Sequence, residues 1–310
     1  MSTAAGTKRG PAGRTGRLRN LPVLAIVPAI MLANPAPLSP RPGVIEIDTL
    51  TVTSRYLTRT HTVRVFLPPG YRDSDAGYGM LLANDGQDME AVRLVPALER
   101  LYRDRVIAPI IVVAIHASDA RAQEYGTAGV PNARGQGRDA ANYDLFVMKE
   151  VLPLIRRRYR VRIGAAHSAV MGWSLGGLTA FDLAWRHPDV FGAVGVFSGS
   201  FWWRTDDSSV EARQASRIMH RRVRETRGRP RIRMWFEAGR EDEAEDRDGN
   251  GVIDAIQDTR ELMDELTARG YREGPDMRYV EVDGGHNPAT WGRILPEFLA
   301  WAFAPVKPDR

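Results

Sequence analysis

Residues 168–181 read Ser-Ala-Val-Met-Gly-Trp-Ser-Leu-Gly-Gly-Leu-Thr-Ala-Phe, and this stretch decides how the chain is read. Its first five residues, SAVMG, have the short apolar pattern of a covered strand. From Leu175 the pattern turns helical and runs to Arg186. Between the two lies G-x-S-x-G, with Ser174 at its centre. In a chain with 29 glycines the bare pattern can arise by chance, so its setting carries the weight. A serine on a sharp strand-to-helix turn is what a nucleophile elbow requires. The turn is so tight that side chains two residues either side of the serine would meet the neighbouring strand or helix. Gly172 and Gly176 remove them. The turn lifts the serine oxygen to the carboxyl end of a sheet. The helix that follows turns its first backbone N–H groups toward any oxyanion formed there.

Outward from the serine, strand and helix patterns alternate. Residues 44–55 and 61–67 alternate apolar and polar side chains and are rich in β-branched types, so they read as a strand pair. Further strands are expected at 79–84, 109–116, 168–172, 191–197, 231–236 and 278–282. Helices are expected at 90–105, 140–159, 175–186, 258–269 and 292–303. Alternation of this kind predicts an α/β fold with a mostly parallel central sheet, antiparallel N-terminal strands and helices on both faces. One polar, Arg-rich stretch, 203–230, breaks the rhythm and reads as an excursion, either a lid or a solvated surface helix.

The chain has 310 residues, 43% of them hydrophobic, enough for one large core. It has no cysteine, which excludes disulfides, thiolate metal sites and a cysteine nucleophile. The net charge is +5, but six basic residues and no acid fall within 1–41, leaving a body near −1. A near-neutral body argues against nucleic acid as a partner. The tail is a basic stretch to Asn20, the apolar run LPVLAIVPAIMLA at 21–33 and a Pro-rich stretch. That order predicts a secretory signal, and so a periplasmic or secreted protein. The apolar run is short for a membrane span. Residues 1–42 are therefore read as a targeting or disordered segment, and 43–310 as the folded domain.

A nucleophilic serine needs a base, and in this chain order the acid and then the histidine follow it. Of six histidines, His187, His220 and His286 lie after Ser174. His187 sits at a helix end and His220 in the polar excursion. His286 follows the last strand in a Gly-Gly-His-Asn loop, which is where the base belongs. The acid is expected after the strand RIRMWF, where Asp242 and Asp246 are the leading candidates among several carboxylates.

The chain resembles the esterase family of α/β-hydrolases, with enterochelin esterase-like proteins, S-formylglutathione hydrolase, feruloyl and acetylxylan esterases, and mycolyltransferases as its relatives. The resemblance covers about residues 44–305. It is carried by Leu82 to Met89 (LANDGQDM), Glu124-Tyr125, Gly172 to Gly177, Arg186 to Gly192 (RHPDVFG), Ser198 to Trp203 (SGSFWW), Ala238-Gly239 with Asp242, and Gly285-His286-Asn287 with Trp291. It implies a Ser174–Asp242–His286 triad and an oxyanion hole from the backbone N–H groups of Gln87 and Leu175. It also implies that Tyr125, Phe201, Trp202, Trp203 and Trp291 line the substrate cleft. The implied activity is hydrolysis of a small-molecule or carbohydrate-linked carboxylic ester through an acyl-enzyme. Acyl transfer of the mycolyltransferase type uses the same triad, and a silent carbohydrate- or siderophore-binding relative is the remaining alternative. Pro288 departs from the family pattern, which often places an acid after the His-Asn pair.

Residues 246–254, DRDGNGVID, follow the spacing of a calcium loop. Asp246, Asp248, Asn250 and Asp254 fall at positions 1, 3, 5 and 9, glycine at 6, and the Val252 carbonyl at 7. Gln257 replaces the usual glutamate at position 12, which lowers affinity. The expectation is a structural Ca²⁺, or else a metal-free acidic turn, with no cofactor required for the chemistry.

Overall fold

The computed structural model describes residues 43–304. The basic and apolar N-terminal segment read above as a targeting signal lies outside these residues. The described residues open on β1 (Glu46–Thr53) and β2 (Thr60–Leu67), paired antiparallel with Glu46 opposite Leu67 and Thr53 opposite Thr60. After β3 (Gly79–Ala83) come α1 (Leu94–Arg103), β4 (Ile110–Ile115) and the short α2 (Arg121–Glu124). The helix expected at 140–159 is α3 (Ala140–Phe146) and α4 (Leu152–Arg158), joined by a π turn at Val147–Val151. Pro153 accounts for the interruption: it has no N–H to give to the preceding turn, and the wider π turn makes room for its ring.

The elbow stretch is β5 (Ser168–Trp173) and α5 (Leu175–Arg186), followed by β6 (Ala193–Phe197). The polar excursion folds as two short helices, α6 (Val210–Ala215) and α7 (Ile218–Glu225). The described residues end on β7 (Arg233–Glu241), α8 (Asp254–Ala268), β8 (Met277–Gly285) and α9 (Pro288–Phe303). Both α8 and α9 start four residues before their apolar periodicity shows. In α9 the reason is a cap. Asn287 accepts from the N–H groups of Ala289 and Thr290, and Pro288 takes the first turn, where its missing N–H costs nothing.

The eight strands form one sheet in the order β1-β2-β4-β3-β5-β6-β7-β8. β2 runs antiparallel to β4, and from β4 through β8 every pairing is parallel. Strands covered on both faces need no polar alternation, and β4 (IIVVAI) and β5 are buried at every position. Their alternate residues feed two separate cores. Leu82, Val113, Val170 and Val196 pack with α5, α7 and α8, whereas Leu81, Val112, Met171 and Phe197 pack with α1 and α9. Strand order reverses at β3, which lies between β4 and β5. The crevice beyond the carboxyl ends at such a reversal is where open α/β sheets place their sites. The loop after β3 and the elbow after β5 meet there. No described helix is long and apolar enough to cross a membrane.

Candidate active site

Ser174 stands between β5 and α5 at φ 55°, ψ −130°, a conformation a non-glycine residue holds only when its surroundings force it. Those surroundings are visible. The Ser174 N–H donates to the Phe197 carbonyl at 2.9 Å, and the Ser174 carbonyl accepts from the N–H of Ser200 at 3.1 Å and of Gly177 at 3.0 Å. A Cβ at Gly172 would overlap the Gly176 carbonyl, and one at Gly176 would overlap the Asp85 carboxylate. Both glycines are thus required by the packing of the turn. Ser174 remains partly exposed, with Leu175 as the first residue of α5, so the Leu175 N–H has no acceptor within the helix.

The loop after β3 faces this turn. Asn84 joins the two, its side-chain amide donating to the Gly176 carbonyl at 2.8 Å while its oxygen accepts from the Tyr143 hydroxyl at 2.8 Å. Asp85 follows at φ 55°, then Gly86, where a Cβ would come within 2.7 Å of the Ala114 backbone. Gln87 comes next and is exposed. The Trp173 indole N–H donates to Asp88 at 2.9 Å, so the residue before the serine also grips this loop.

His286 and Asp242 come from the ends of β8 and β7, the two outermost parallel strands. Their nearest atoms, His286 Nδ1 and Asp242 Oδ1, are 4.0 Å apart. That is ion-pair range and longer than a hydrogen bond. Asp242 Oδ1 is buried and accepts from no protein donor, whereas Oδ2 accepts from the Gly239 N–H at 3.0 Å. Burial raises the Asp242 carboxyl above the ordinary carboxylate range. Burial lowers the His286 imidazole, against the opposing charge of Asp242 and with help from the cation of Arg121. The His286 ring stands edge-on to Trp291 with centroids 5.2 Å apart. Trp291 in turn stacks on Trp173, and its N–H donates to the Ser198 hydroxyl at 2.8 Å.

A second acid lies beneath this group. Glu237 is 1% exposed, and burial together with the nearby Asp242 charge raises it to about 8. It is therefore mostly protonated in the native fold at neutral pH. The native state keeps a proton that the unfolded chain releases near 4.5, so this residue makes stability fall as pH rises from 4.5 toward about 8. Glu237→Gln is expected to flatten that slope. Thermal unfolding at about pH 5 and about pH 9 should show a smaller Tm difference in the variant than in the parent.

Ser174, His286 and Asp242 line one cavity of about 250 Å³ with Ser198, Gly199, Ser200, Trp202, Glu243 and Ala255. A larger groove of about 620 Å³ lies at the β1 edge beside Tyr159, but its Arg72 is already paired with Glu46 and Asp48, and neither Ser174 nor any histidine lines it. Of the aromatics expected to line the cleft, Trp202 does. Tyr125, Phe201 and Trp203 do not: they are at most 1% exposed and belong to the core. A run of aromatics after a strand presents alternate rings to opposite sides, so only the middle of Phe201-Trp202-Trp203 reaches the cavity. Tyr125 supports the loop after β3 instead, its hydroxyl accepting from the Asp85 N–H at 3.1 Å. Trp291 is buried and touches His286 rather than the cavity.

The excursion does not reach the site. No residue of 204–230 lines the cavity, and α7 buries Ile218, Met219 and Val223 against the core. An ion-pair cluster anchors it: Arg217 from the excursion and Arg247 from the acidic loop both bind Asp258 of α8. His220 packs beside this cluster and is held neutral by burial, its pKa lowered to about 3. His187 caps α5 and pairs with Asp144 at 2.7 Å.

The 246–257 loop is a tight acidic turn leading into α8. Asp246 accepts from the N–H groups of Asn250 and Gly251, and Gly249 and Gly251 take left-handed conformations. Its other acids turn to partners within the protein. Asp254 takes the backbone N–H and guanidinium of Arg247, and Asp248 takes the side-chain amide of Gln257. Among the described residues, the carboxylates of Asp246, Asp248 and Asp254 do not converge within 4.8 Å of one another.

Asn84, Tyr143, Arg121 and Glu237 support the site; Asn84 lies within the LANDGQDM stretch, and no sequence motif marks Tyr143, Arg121 or Glu237 for that role. Their partners lie 36 to 92 residues away, a pairing that one sequence does not encode locally.

A strained serine elbow at a sheet reversal, a tight glycine-containing loop after the third strand facing it and a histidine after the last strand define the α/β-hydrolase class. The family model described as "Putative esterase" matches residues 54–302, so the chain belongs to that family of carboxylic ester hydrolases. It is 20% identical over 245 residues to an uncharacterized protein, YbbA, of Bacillus subtilis, covering 77% of this chain and 91% of that one. It is 26% identical over 217 residues to the iron(III) enterobactin esterase of an Escherichia coli strain, covering 69% of this chain. The matched region is 47% of that enzyme, so the chain spans about half the length of that relative. Among solved structures, enterobactin esterase of Shigella flexneri with enterobactin superposes with a TM-score of 0.66 at 22% identity, over 84% of this chain and 59% of that one. The feruloyl esterase module of Clostridium thermocellum gives 0.63 at 17%, over 89% and 95%. These superpositions share the fold.

Proposed function

We propose that the chain hydrolyses a carboxylic ester through an acyl-enzyme on Ser174. The observation that carries this reading is the elbow: a serine forced to φ 55° lines one cavity with a histidine and a buried aspartate from the last two strands. His286 takes the serine proton as the hydroxyl attacks the ester carbonyl, and gives it to the leaving alcohol. Asp242 holds the imidazole tautomer and stabilises the imidazolium. The backbone N–H groups of Leu175 and Gln87 receive the tetrahedral oxyanion, and water then releases the acid. The test is a stopped-flow record of 4-nitrophenyl acetate cleavage. A burst of one nitrophenolate per chain supports the acyl-enzyme, and no release at all refutes the reading.

The base must be neutral to act, and burial holds His286 below the ordinary 6.5. The acid limb of kcat/KM is therefore expected to reach half-maximum below pH 6.5, with a plateau above neutrality. A pH–rate profile on a neutral ester checks this.

Because transfer and hydrolysis share the acyl-enzyme, product analysis with and without a sugar acceptor separates them. The Trp202 wall and the serine hydroxyls of the cavity suit a small, hydroxylated ester. No metal takes part in the proposed steps. Calcium in the 246–257 loop is proposed as structural only. Activity at about 25 °C should survive EDTA, whereas millimolar Ca²⁺ should raise Tm by roughly 2–5 °C. The N-terminal segment directs export in this reading, which the N-terminal residue of protein recovered from its native cell tests.

A further inference from the structure

We infer that Arg121, acting through Asp85, is a positioning residue that sets both halves of the oxyanion hole. The inference rests on the reaction proposed at Ser174. Asp85 is the residue on which the loop turns. It is 1% exposed and left-handed at φ 55°, although it is not glycine. A buried carboxylate in a strained turn needs a partner that fixes its direction as well as its charge. Arg121 supplies one from α2, its Nε at 2.7 Å from Oδ1 and its Nη2 at 2.8 Å from Oδ2. This two-point fork fixes the plane of the carboxylate in a way a lysine does not.

The carboxylate so fixed touches both sides of the hole. On one side Gln87 follows two residues later, and its side-chain amide donates back to Asp85 Oδ1 at 3.4 Å, while its oxygen accepts from the Ala117 N–H at 3.0 Å. The direction of the Gln87 backbone N–H therefore follows from the turn at Asp85. On the other side Asp85 Oδ2 lies where a Cβ on Gly176 would be, against the first turn of α5 that carries the Leu175 N–H. The Asp85 N–H is taken by the Tyr125 hydroxyl, which leaves the loop no freedom to flip its own peptide toward the hole. The Arg121 side chain is one-third exposed, so it is not a core filler, and its cation bears on His286. One guanidinium thus holds the turn and adds positive potential to the site where the oxyanion and the imidazolium form.

The test uses the full chain with Arg121→Met, Arg121→Lys and Asp85→Asn. For each, kcat and KM are measured on 4-nitrophenyl acetate, and Ki for phenylboronic acid, which mimics the tetrahedral adduct on serine. Arg121→Met is expected to lower kcat about 100-fold with KM within about 3-fold, and to weaken the boronate by a similar factor. It is also expected to move the acid limb of kcat/KM to higher pH, because the cation that lowers His286 is gone. Arg121→Lys should keep the acid limb near the parent's but recover less than a tenth of the lost kcat, since it restores charge without the fork. Asp85→Asn should match Arg121→Met in kcat and boronate affinity, and it serves if the methionine variant does not fold. Folded variants that lose thermal stability while kcat and boronate Ki stay at parental values overturn the inference, as does a rise in KM alone. A parent chain that neither turns over the ester nor binds the boronate overturns the reading of Ser174 itself.

Discussion

Ser174→Ala is expected to lower kcat/KM for 4-nitrophenyl acetate by about 10⁵-fold and to leave the fold intact. The size follows from how the three groups act in the proposed reaction. A triad works as a unit, so deleting the nucleophile costs nearly as much as deleting all three members, and what persists comes from binding and the oxyanion hole. The stability side is as specific. The Ser174 N–H and carbonyl make the bonds that hold the turn, to Phe197, Gly177 and Ser200, and alanine keeps all of them. Circular dichroism and Tm should stay with the parent within a few degrees. A variant that retained a tenth of the activity would place the nucleophile elsewhere.

Gly172→Ala is expected to cost more in stability than any other single-methyl change near the site. The added Cβ would overlap the carbonyl of Gly176 and approach the N of Gly177 to 2.9 Å. Both obstacles are backbone, held in place by β5 and α5, so no side chain can rotate away. Overpacking of a rigid interior typically costs about 1–3 kcal/mol, and a backbone clash should lie at or above the top of that range. In a domain of this size that is a fall in Tm of roughly 6–12 °C, with esterase activity lost because the turn must open. The contrast is Gly228→Asn. Gly228 has φ 77°, which asparagine tolerates, and nothing lies within 4 Å of a Cβ there. Its Tm should shift by less than about 3 °C. Thermal unfolding of the two variants beside the parent checks both expectations.

The parts of this fold that are legible in the sequence are those whose cause is local. Covered strands such as IIVVAI at 110–115 announce themselves because burial on both faces excludes polar side chains. The elbow is legible because its geometry demands glycines at fixed spacing, and His286 because chain order leaves it as the one histidine after the last strand. Helix starts are less legible. Asn287 and Pro288 begin α9 through a cap, which carries no apolar periodicity. The aromatic run 201–203 misleads for a related reason: which ring faces the cavity depends on the path of a loop, and two of the three face the core. Of the residues that support the loop after β3, Asn84 and Tyr125 fall in stretches that carry the family resemblance, whereas Arg121 and Tyr143 do not. Arg121 is one of many arginines until the fold brings it to Asp85, 36 residues away.

The central claim is that Ser174 becomes acylated. The most direct measurement is mass spectrometry of the chain quenched during turnover of a slowly hydrolysed 4-nitrophenyl ester, followed by peptide mapping. One acyl group per chain is expected, on the peptide containing Gly172 to Gly177, absent in Ser174→Ala and persisting longer in His286→Ala once formed. Turnover of the ester with no adduct on that peptide, or with the adduct on another residue, would contradict it.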